Sequence, residues 1–307
     1  HGTRQLRGLL KNIRVGRIHP RARMQVDAEG PGWARVDGCD AMPLATAFRA
    51  MALCIAKARA SGIAYVGVRR SSHYGAAGYY AVQAAEQGLI GISMCNVDPG
   101  VTAPGSRSRV MGTNPIAYAA PAGDAPPVFL DIATSAVAAS KLYAAQALHQ
   151  PIPDTWLVDD EGLPTTDPTG YPLRGALQPM AGHKGYGLAV LVEILTAVLS
   201  GAGIMSEVKS WMLDSLEPAN QGHAFIAIDV RAMMPPALFA ARMQQMTSEI
   251  RQAPLAVGAE RIYLPGEKEW EHRQRALAEG IPLPPFVVTN LRGAAEDYGL
   301  GLPDWLA

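Results

Sequence analysis

His73 sits in Ser71-Ser72-His73-Tyr74-Gly75, a polar turn between an apolar run at 63–68 and a segment of helical spacing at about 78–87 that Gly88 ends. A neutral imidazole is a suitable proton acceptor near pH 7, and turns just past strand ends expose reactive groups on a rigid frame. General acid or base is therefore its candidate role; a turn histidine that only solvates the helix start is the competing reading. Lys184 stands in Gly182-His183-Lys184-Gly185-Tyr186-Gly187, directly before the longest apolar run, 188–199. Small residues there let backbone N–H groups approach an anion while lysine adds charge, as phosphate binding requires. Without an anion, a lysine at a helix start opposes the helix dipole, which disfavours the alternative of a solvated surface lysine. Asp131-Ile132-Ala133-Thr134-Ser135 closes a strand and opens a helix at 136–147. Such residues cap helices, and they also present hydroxyls and amides to a phosphate or a ribose. Neither a Walker A sequence nor Gly-x-Gly-x-x-Gly after a strand is present, so the ordinary Rossmann fingerprint is absent.

The elements that must hold these residues follow from periodicity. Apolar residues recur at helical spacing from Leu6 to Ile13, with Gly16 as terminator. A strand is expected at 33–36, and an amphipathic helix at 45–60 with Phe48, Met51, Ala52 and Ile55 on its buried face. Further strands are expected at 63–68, 89–94, 116–120, 128–132 and 224–230, and further helices at 237–251, 269–278 and 289–298. The helix at 188–199 reads as nearly buried, with Glu193 and Thr196 its polar exceptions. Residues 95–114 read as a long loop or a set of tight turns. Helix and strand alternate, which predicts a layered α/β fold. The chain has 307 residues, 49% hydrophobic and 18% charged, enough for one large domain or two lobes. Its formal net charge is zero and its basic residues are scattered beyond an arginine-rich start, so nothing favours nucleic acid. No apolar run reaches the ~18 residues that span a membrane, and no signal peptide is visible. Cys39, Cys54 and Cys95 match no zinc pattern and read as buried thiols of a reducing, cytoplasmic compartment, and no metal is expected. His19, His149, His223 and His272 have no motif around them and read as surface or structural.

Taken together, Ser71 to Tyr80, Gly112-Thr113-Asn114-Pro115, Leu130 to Ser135, Pro164-Thr165-Thr166-Asp167-Pro168, Gly182 to Gly187 and Leu264-Pro265-Gly266-Glu267 occur in the order found in the type II malate/L-lactate dehydrogenase family. The chain resembles that family from His1 to about Ala278. Ile92-Ser93-Met94-Cys95 with Asp98-Pro99, and Ile152-Pro153-Asp154-Thr155-Trp156, are most similar to its ureidoglycolate dehydrogenase branch. The resemblance implies a layered α/β/α fold with a mixed central sheet that is not Rossmann. In it, a central cofactor-binding part, 61–265, carries an N-terminal part, 1–60, packed with C-terminal helices, 266–307. It also implies a homodimer, and a hydride transfer between a nicotinamide cofactor and a small 2-hydroxy or 2-oxo acid of malate, lactate, sulfolactate or ureidoglycolate type.

By the same resemblance, Val97, Asp98, Asp131, Ile132, Ala133, Lys184, Gly185, Gly266, Glu267 and Lys268 contact the cofactor. His73 is the proton acceptor, His1 matches a second catalytic histidine, and Asn114 joins the catalytic set. NAD is the expected cofactor because Asp98 and Asp131 suit a free ribose hydroxyl; NADP is the alternative, since Arg107 and Arg109 lie close in sequence. Two departures stand out. The serine that precedes the family's equivalent of His1 is not in this sequence, and the arginine that holds the substrate carboxylate is Gln5 here. Arg4 is expected to replace it, in preference to Arg7. That exchange also keeps open an imino-acid or diketo-acid reductase of the same family, or a nucleotide-binding relative without turnover.

Overall fold

Nine residues of β3 (Ile63–Ser71) extend the expected strand to the edge of the His73 turn. The computed structural model describes residues 2–212 and 216–306. A 3-10 turn (Gly2–Gln5) leads into α1 (Leu6–Arg14), followed by β1 (Gln25–Gly30), β2 (Trp33–Asp37) and α2 (Pro43–Ser61). After β3 come α3 (Ala77–Ala85), β4 (Leu89–Cys95), β5 (Val101–Thr102), β6 (Arg109–Met111), β7 (Ile116–Ala122) and β8 (Ala125–Ile132). Next are α4 (Ala139–Ala147), β9 (Leu157–Val158), β10 (Pro164–Thr165), β11 (Ala176–Leu177) and α5 (His183–Glu193), which runs on as a π turn (Ile194–Val198). The chain closes with β12 (Gln221–Asp229), α6 (Val230–Met233), α7 (Pro236–Gln252), α8 (Glu267–Glu279) and α9 (Pro285–Tyr298).

The main sheet has the order β1-β2-β3-β12-β4-β7-β8. β2 and β3 are parallel and the other neighbours antiparallel, so the sheet is mixed, as expected. Alternation along the strands sends side chains to two covered faces. Ala64, Val66, Val68, Phe225, Ala227 and Leu89 pack on one face against Ala47, Ala50, Met51, Cys54 and Ile55 of α2 and Ala81 and Ala84 of α3. Tyr65, Ile92, Met94, Ala224 and Ile226 pack on the other against Val192 and Leu195. This makes the α/β/α layering. A Cβ on Gly222 would overlap the carbonyl of Thr196, so only glycine lets the start of β12 pass under the π turn.

Several expectations change. The buried face of α2 is rotated from the one expected: Met51 and Ile55 are inside, but Ala52 is exposed and Phe48 is 44% exposed. The 188–199 segment is inverted. Glu193 is 3% exposed and Thr196 fully buried, while Leu191, Ile194, Val198 and Leu199 face outward. Hydrogen bonds from Asn96, Asn114 and the Met205 N–H draw Glu193 in, Thr196 donates its hydroxyl to the Val192 carbonyl at 2.7 Å, and the apolar stripe is left outside. Residues within 95–114 are not all loop, because β5 and β6 join β9, β10 and β11 in a second sheet of order β10-β9-β11-β5-β6. α4 starts at Ala139, later than expected, since Ser135 bridges Pro179 and the Ala136 N–H is given to Gln178. Cys54 and Cys95 are buried, but Cys39 is partly exposed.

Residue 60, the expected boundary, lies in the last turn of α2; α2 packs on β3, and β1 and β2 are strands of the main sheet. α1 packs instead on α9, through Arg7 to Asp297 at 2.9 Å and the Tyr298 hydroxyl on the Leu10 carbonyl. No helix among the described residues is long and apolar enough to cross a membrane.

Candidate active site

Strand direction gathers the motifs at one end of the main sheet. β3 ends at Ser71, β4 at Cys95 and β8 at Ile132. The strands between them run the other way and start at this end, with Gln221 opposite Ser71, His223 opposite Cys95, and Ile116 opposite both Met94 and Ile132. The turns carrying His73, Val97 with Asp98, Asn114, and Ile132 with Ala133 therefore share one edge, where open α/β sheets place ligands.

His73 is half-buried. Its Nε2 lies 2.8 Å from the Gln5 Oε1, and its ring stacks on the Trp211 indole with centroids 4.4 Å apart and planes 5° from parallel. Two side chains of the N-terminal segment hold the tryptophan's strand of chain. Asn12 Nδ2 donates to the Trp211 carbonyl at 2.9 Å, and the buried Arg17 donates to the carbonyls of Ser210 at 2.9 Å and Glu217 at 2.6 Å. Burial holds the His73 pKa down at about 4, so the ring is neutral at pH 7. In the core next to this turn, the fully buried His223 stacks on Tyr74 at 4.3 Å, and its Nε2 lies 2.8 Å from the Ser71 hydroxyl. Burial lowers the His223 pKa to about 3. Tyr74 in turn meets the Ser93 hydroxyl at 3.1 Å and accepts on its carbonyl from Tyr80. The turn that presents His73 is thus floored by neutral, stacked rings.

Asn114, expected in the catalytic set, is fully buried and its amide is spent. Its Oδ1 accepts the Val97 N–H at 3.1 Å, and its Nδ2 donates to the Ala189 carbonyl at 3.1 Å and to Glu193 at 2.9 Å. It supports the Val97 backbone. Glu193 also accepts from Asn96 at 3.2 Å and from the Met205 N–H at 2.8 Å, which explains why a carboxylate is drawn into the core. Asp98 is half-buried, and burial raises its pKa against the opposing pull of the Ser210 hydroxyl and Arg17.

Asp131 caps a helix, but not the one that follows it. Its Oδ2 accepts the Gly78 N–H in the first turn of α3 at 2.8 Å, tying the end of β8 to the turn carrying His73. Burial raises its pKa, and Glu269 nearby adds to that. Ile132 and Ala133 are half-buried and continue the same edge. Thr134 then joins this edge to the glycine-bounded lysine, because its carbonyl accepts the Met180 N–H at 2.8 Å. A Cβ on Gly185 would sit 2.7 Å from that carbonyl, so the close approach requires glycine. Lys184 is exposed at the start of α5 and makes no ion pair among the described residues. Its surroundings fit a phosphate, since the Gly182 cap has φ of 61° and offers no side-chain acceptor to the helix start. Gly266 lies against Phe129 of β8, leaving no room for a Cβ. Glu267 accepts the Leu264 N–H at 2.8 Å and pairs with Arg251, and Lys268 sits 4.5 Å above the Tyr263 ring.

His1 lies outside the described residues, as does the side chain of Arg4. Arg7 is turned to Asp297 on α9. The sequence motifs did not mark Gln5 as a partner of His73, nor Trp211, His223 or Glu193. Trp211 has no periodic context, and His223 sits in an apolar strand; only a cross-chain contact distinguishes either.

A family model for malate/L-lactate dehydrogenase matches residues 1–292. The malate dehydrogenase of Pyrococcus abyssi is 38% identical over 98% of this chain and 84% of its own. The NAD-dependent ureidoglycolate dehydrogenase of Escherichia coli is 34% identical over 92% of this chain and 80% of its own, so the motifs shared with that branch are not matched by a higher overall identity. The solved malate dehydrogenase of Pyrococcus horikoshii superposes with a TM-score of 0.88 at 37% identity, covering 98% of this chain and 84% of that one. Agreement in sequence over nearly the whole length, joined to agreement in fold, leads to one conclusion: the chain belongs to the malate/L-lactate dehydrogenase family of oxidoreductases.

Proposed function

We propose that the protein transfers a hydride between NAD and a small 2-hydroxy or 2-oxo acid, with His73 as the general base of oxidation and the general acid of reduction. Membership of the family makes it an oxidoreductase, supports a hydroxy-acid substrate and implies a nicotinamide cofactor. The observation that carries the finer reading is the state of His73: neutral, held at Nε2 by Gln5, covered by Trp211, and at the sheet edge beside the proposed cofactor residues.

The cofactor, when bound, supplies the hydride acceptor. In this structure the His73 Nε2–H faces the Gln5 amide oxygen; when a substrate hydroxyl takes the place of that oxygen, the ring adopts the Nδ1–H tautomer and Nε2 accepts the hydroxyl proton. A group with a pKa of about 4 is a weak base in the empty site. An arriving carboxylate favours the imidazolium and raises that pKa, so the base gains strength only when substrate is present. Trp211 keeps water from the ring face. Arg4 is the proposed carboxylate partner, with His1 a second proton-transfer group. Lys184 and the Gly185 backbone receive the phosphates, while Val97, Asp98, Asp131 to Ala133 and Gly266 to Lys268 border the rest of the cofactor. The outward apolar stripe of Leu191, Ile194, Val198 and Leu199 supports a homodimer with this face covered.

Nicotinamide absorbance with malate, lactate, sulfolactate and ureidoglycolate, each with NAD and NADP, tests the reaction class. His73→Gln lowers turnover about 100 to 10,000-fold with cofactor affinity retained. Turnover within a fewfold of wild type would remove His73 from the mechanism.

A further inference from the structure

Arg21, Arg23 and Arg49 converge on a cavity of about 390 Å³ whose other lining residues are Pro20, Ala22, Ala41, Met42, Ala45 and Thr46. Its lining includes none of the residues assigned above to substrate or cofactor. All three arginines are exposed, and none makes an ion pair among the described residues. Carboxylates of the neighbouring strands do not neutralise them. Asp27 is taken by Arg69 at 2.8 Å, Asp37 by Arg69 at 2.9 Å, and Asp40 by Arg70 at 2.6 Å. Three guanidinium groups around one concavity repel each other, and in a chain of zero net charge that clustering is not a general basic character.

Two further features face the same space. α2 is 19 residues long and begins with Met42 as an N-cap that provides no side-chain acceptor, so the first-turn N–H of Ala45, a cavity-lining residue, is uncapped. Thr46, one turn in, is only 2% exposed and lines the cavity, yet its hydroxyl makes no hydrogen bond among the described residues. The Thr46 oxygen is not among the fully buried unpartnered atoms, so it opens into the cavity, and a hydroxyl there beside uncapped amides and three guanidinium groups is complemented by an oxyanion.

We propose that this cavity is a second anion site, for a compact, multiply charged oxyanion such as a phosphate monoester or a small polycarboxylate. The guanidinium forks grip its oxygens, and the α2 amides with the Thr46 hydroxyl receive the innermost one. The cavity is large enough for a small metabolite beyond a bare phosphate.

Isothermal titration of the full chain at low ionic strength with methyl phosphate and, separately, citrate tests this. Saturable one-to-one binding of at least one probe is expected, and which one binds separates the two sources of the anion. Arg23→Gln/Arg49→Gln weakens it by about tenfold or more, and Thr46→Val by a few-fold, with unchanged melting temperature. The arginines are exposed, so their replacement leaves folding intact. Heat that does not saturate with either probe, or binding that the double variant keeps, overturns the proposal. So does displacement of the probe by NAD or NADP, which would assign the cavity to the cofactor.

Discussion

Trp211→Ala removes one wall of the His73 environment and leaves Gln5 and His223 in place. Burial is the leading cause that lowers the His73 pKa from 6.5 to about 4. The stacked indole, 4.4 Å away and within 5° of parallel, covers one face of the ring. The gap between those two values is therefore the ceiling on what exposure can restore. With the rest of the burial unchanged, about one to two pH units should return, each worth about 1.4 kcal/mol of preference for the neutral ring. Two assays read this. NMR titration of the His73 ring proton needs no substrate and reports the free protein. The acid limb of kcat/KM for whichever hydroxy acid is turned over reports the same group, and should move up from near pH 4 toward pH 5 to 6. In wild type the acid limb of kcat should already lie above that of kcat/KM, because the bound carboxylate favours the imidazolium. Trp211→Phe should stay near wild type. A His73 titration that does not move in Trp211→Ala refutes the reasoning, since burial would then come from elsewhere.

Other outcomes follow from the same contacts. Lys184→Ala should raise the Kd of the nicotinamide cofactor about tenfold or more while turnover of the saturated enzyme changes little, measured by fluorescence titration; unchanged affinity would mean that Lys184 is not at a phosphate. Glu193→Ala leaves Asn96, Asn114 and the Met205 N–H short of an acceptor, and should lower unfolding free energy by about 2 to 4 kcal/mol in denaturant titration. His73 and His223, both held below 6.5 by burial, make the unfolded chain the first to take up protons on acidification. Stability is therefore complete above about pH 6.5 and is lost as pH falls toward 4 and then 3; His223→Asn should lose less over that window, and a melting temperature flat from pH 7 to 4.5 would contradict this.

Much of the frame was legible from local pattern. The apolar runs that became β3, β4, β7, β8 and β12 are short and bounded by glycine or proline, so each was found to within a few residues. His73, Lys184 with Gly185 and Asp131 were singled out because residue type and position at an element boundary are both local properties. Pairing over long separations was not legible. β1, Gln25–Gly30, is a polar edge strand with no buried residue, and β5, β6, β9, β10 and β11 have two or three residues each, too few to carry a period, and exist because partners elsewhere in the chain complete their hydrogen bonds.

By itself, then, the sequence determined the alternation of helices and strands, the motif order that resembles the family, and the residue types able to move a proton or hold a phosphate. Tertiary structure alone decided which way those residues face. Local pattern read Glu193 and Thr196 as the polar exceptions of a buried helix, but Asn96, Asn114 and Met205 offer donors from other parts of the chain and pull the carboxylate inward. Asp131 reads as a cap for the helix after it, but the sheet brings Gly78 within 2.8 Å first. Gln5 and Trp211 are separated from His73 by 68 and 138 positions, and no local rule connects them to it. Burial by such distant groups sets the proton affinity of the imidazole, so the chemical type of the acid–base group is written in the chain while its strength is a property of the fold.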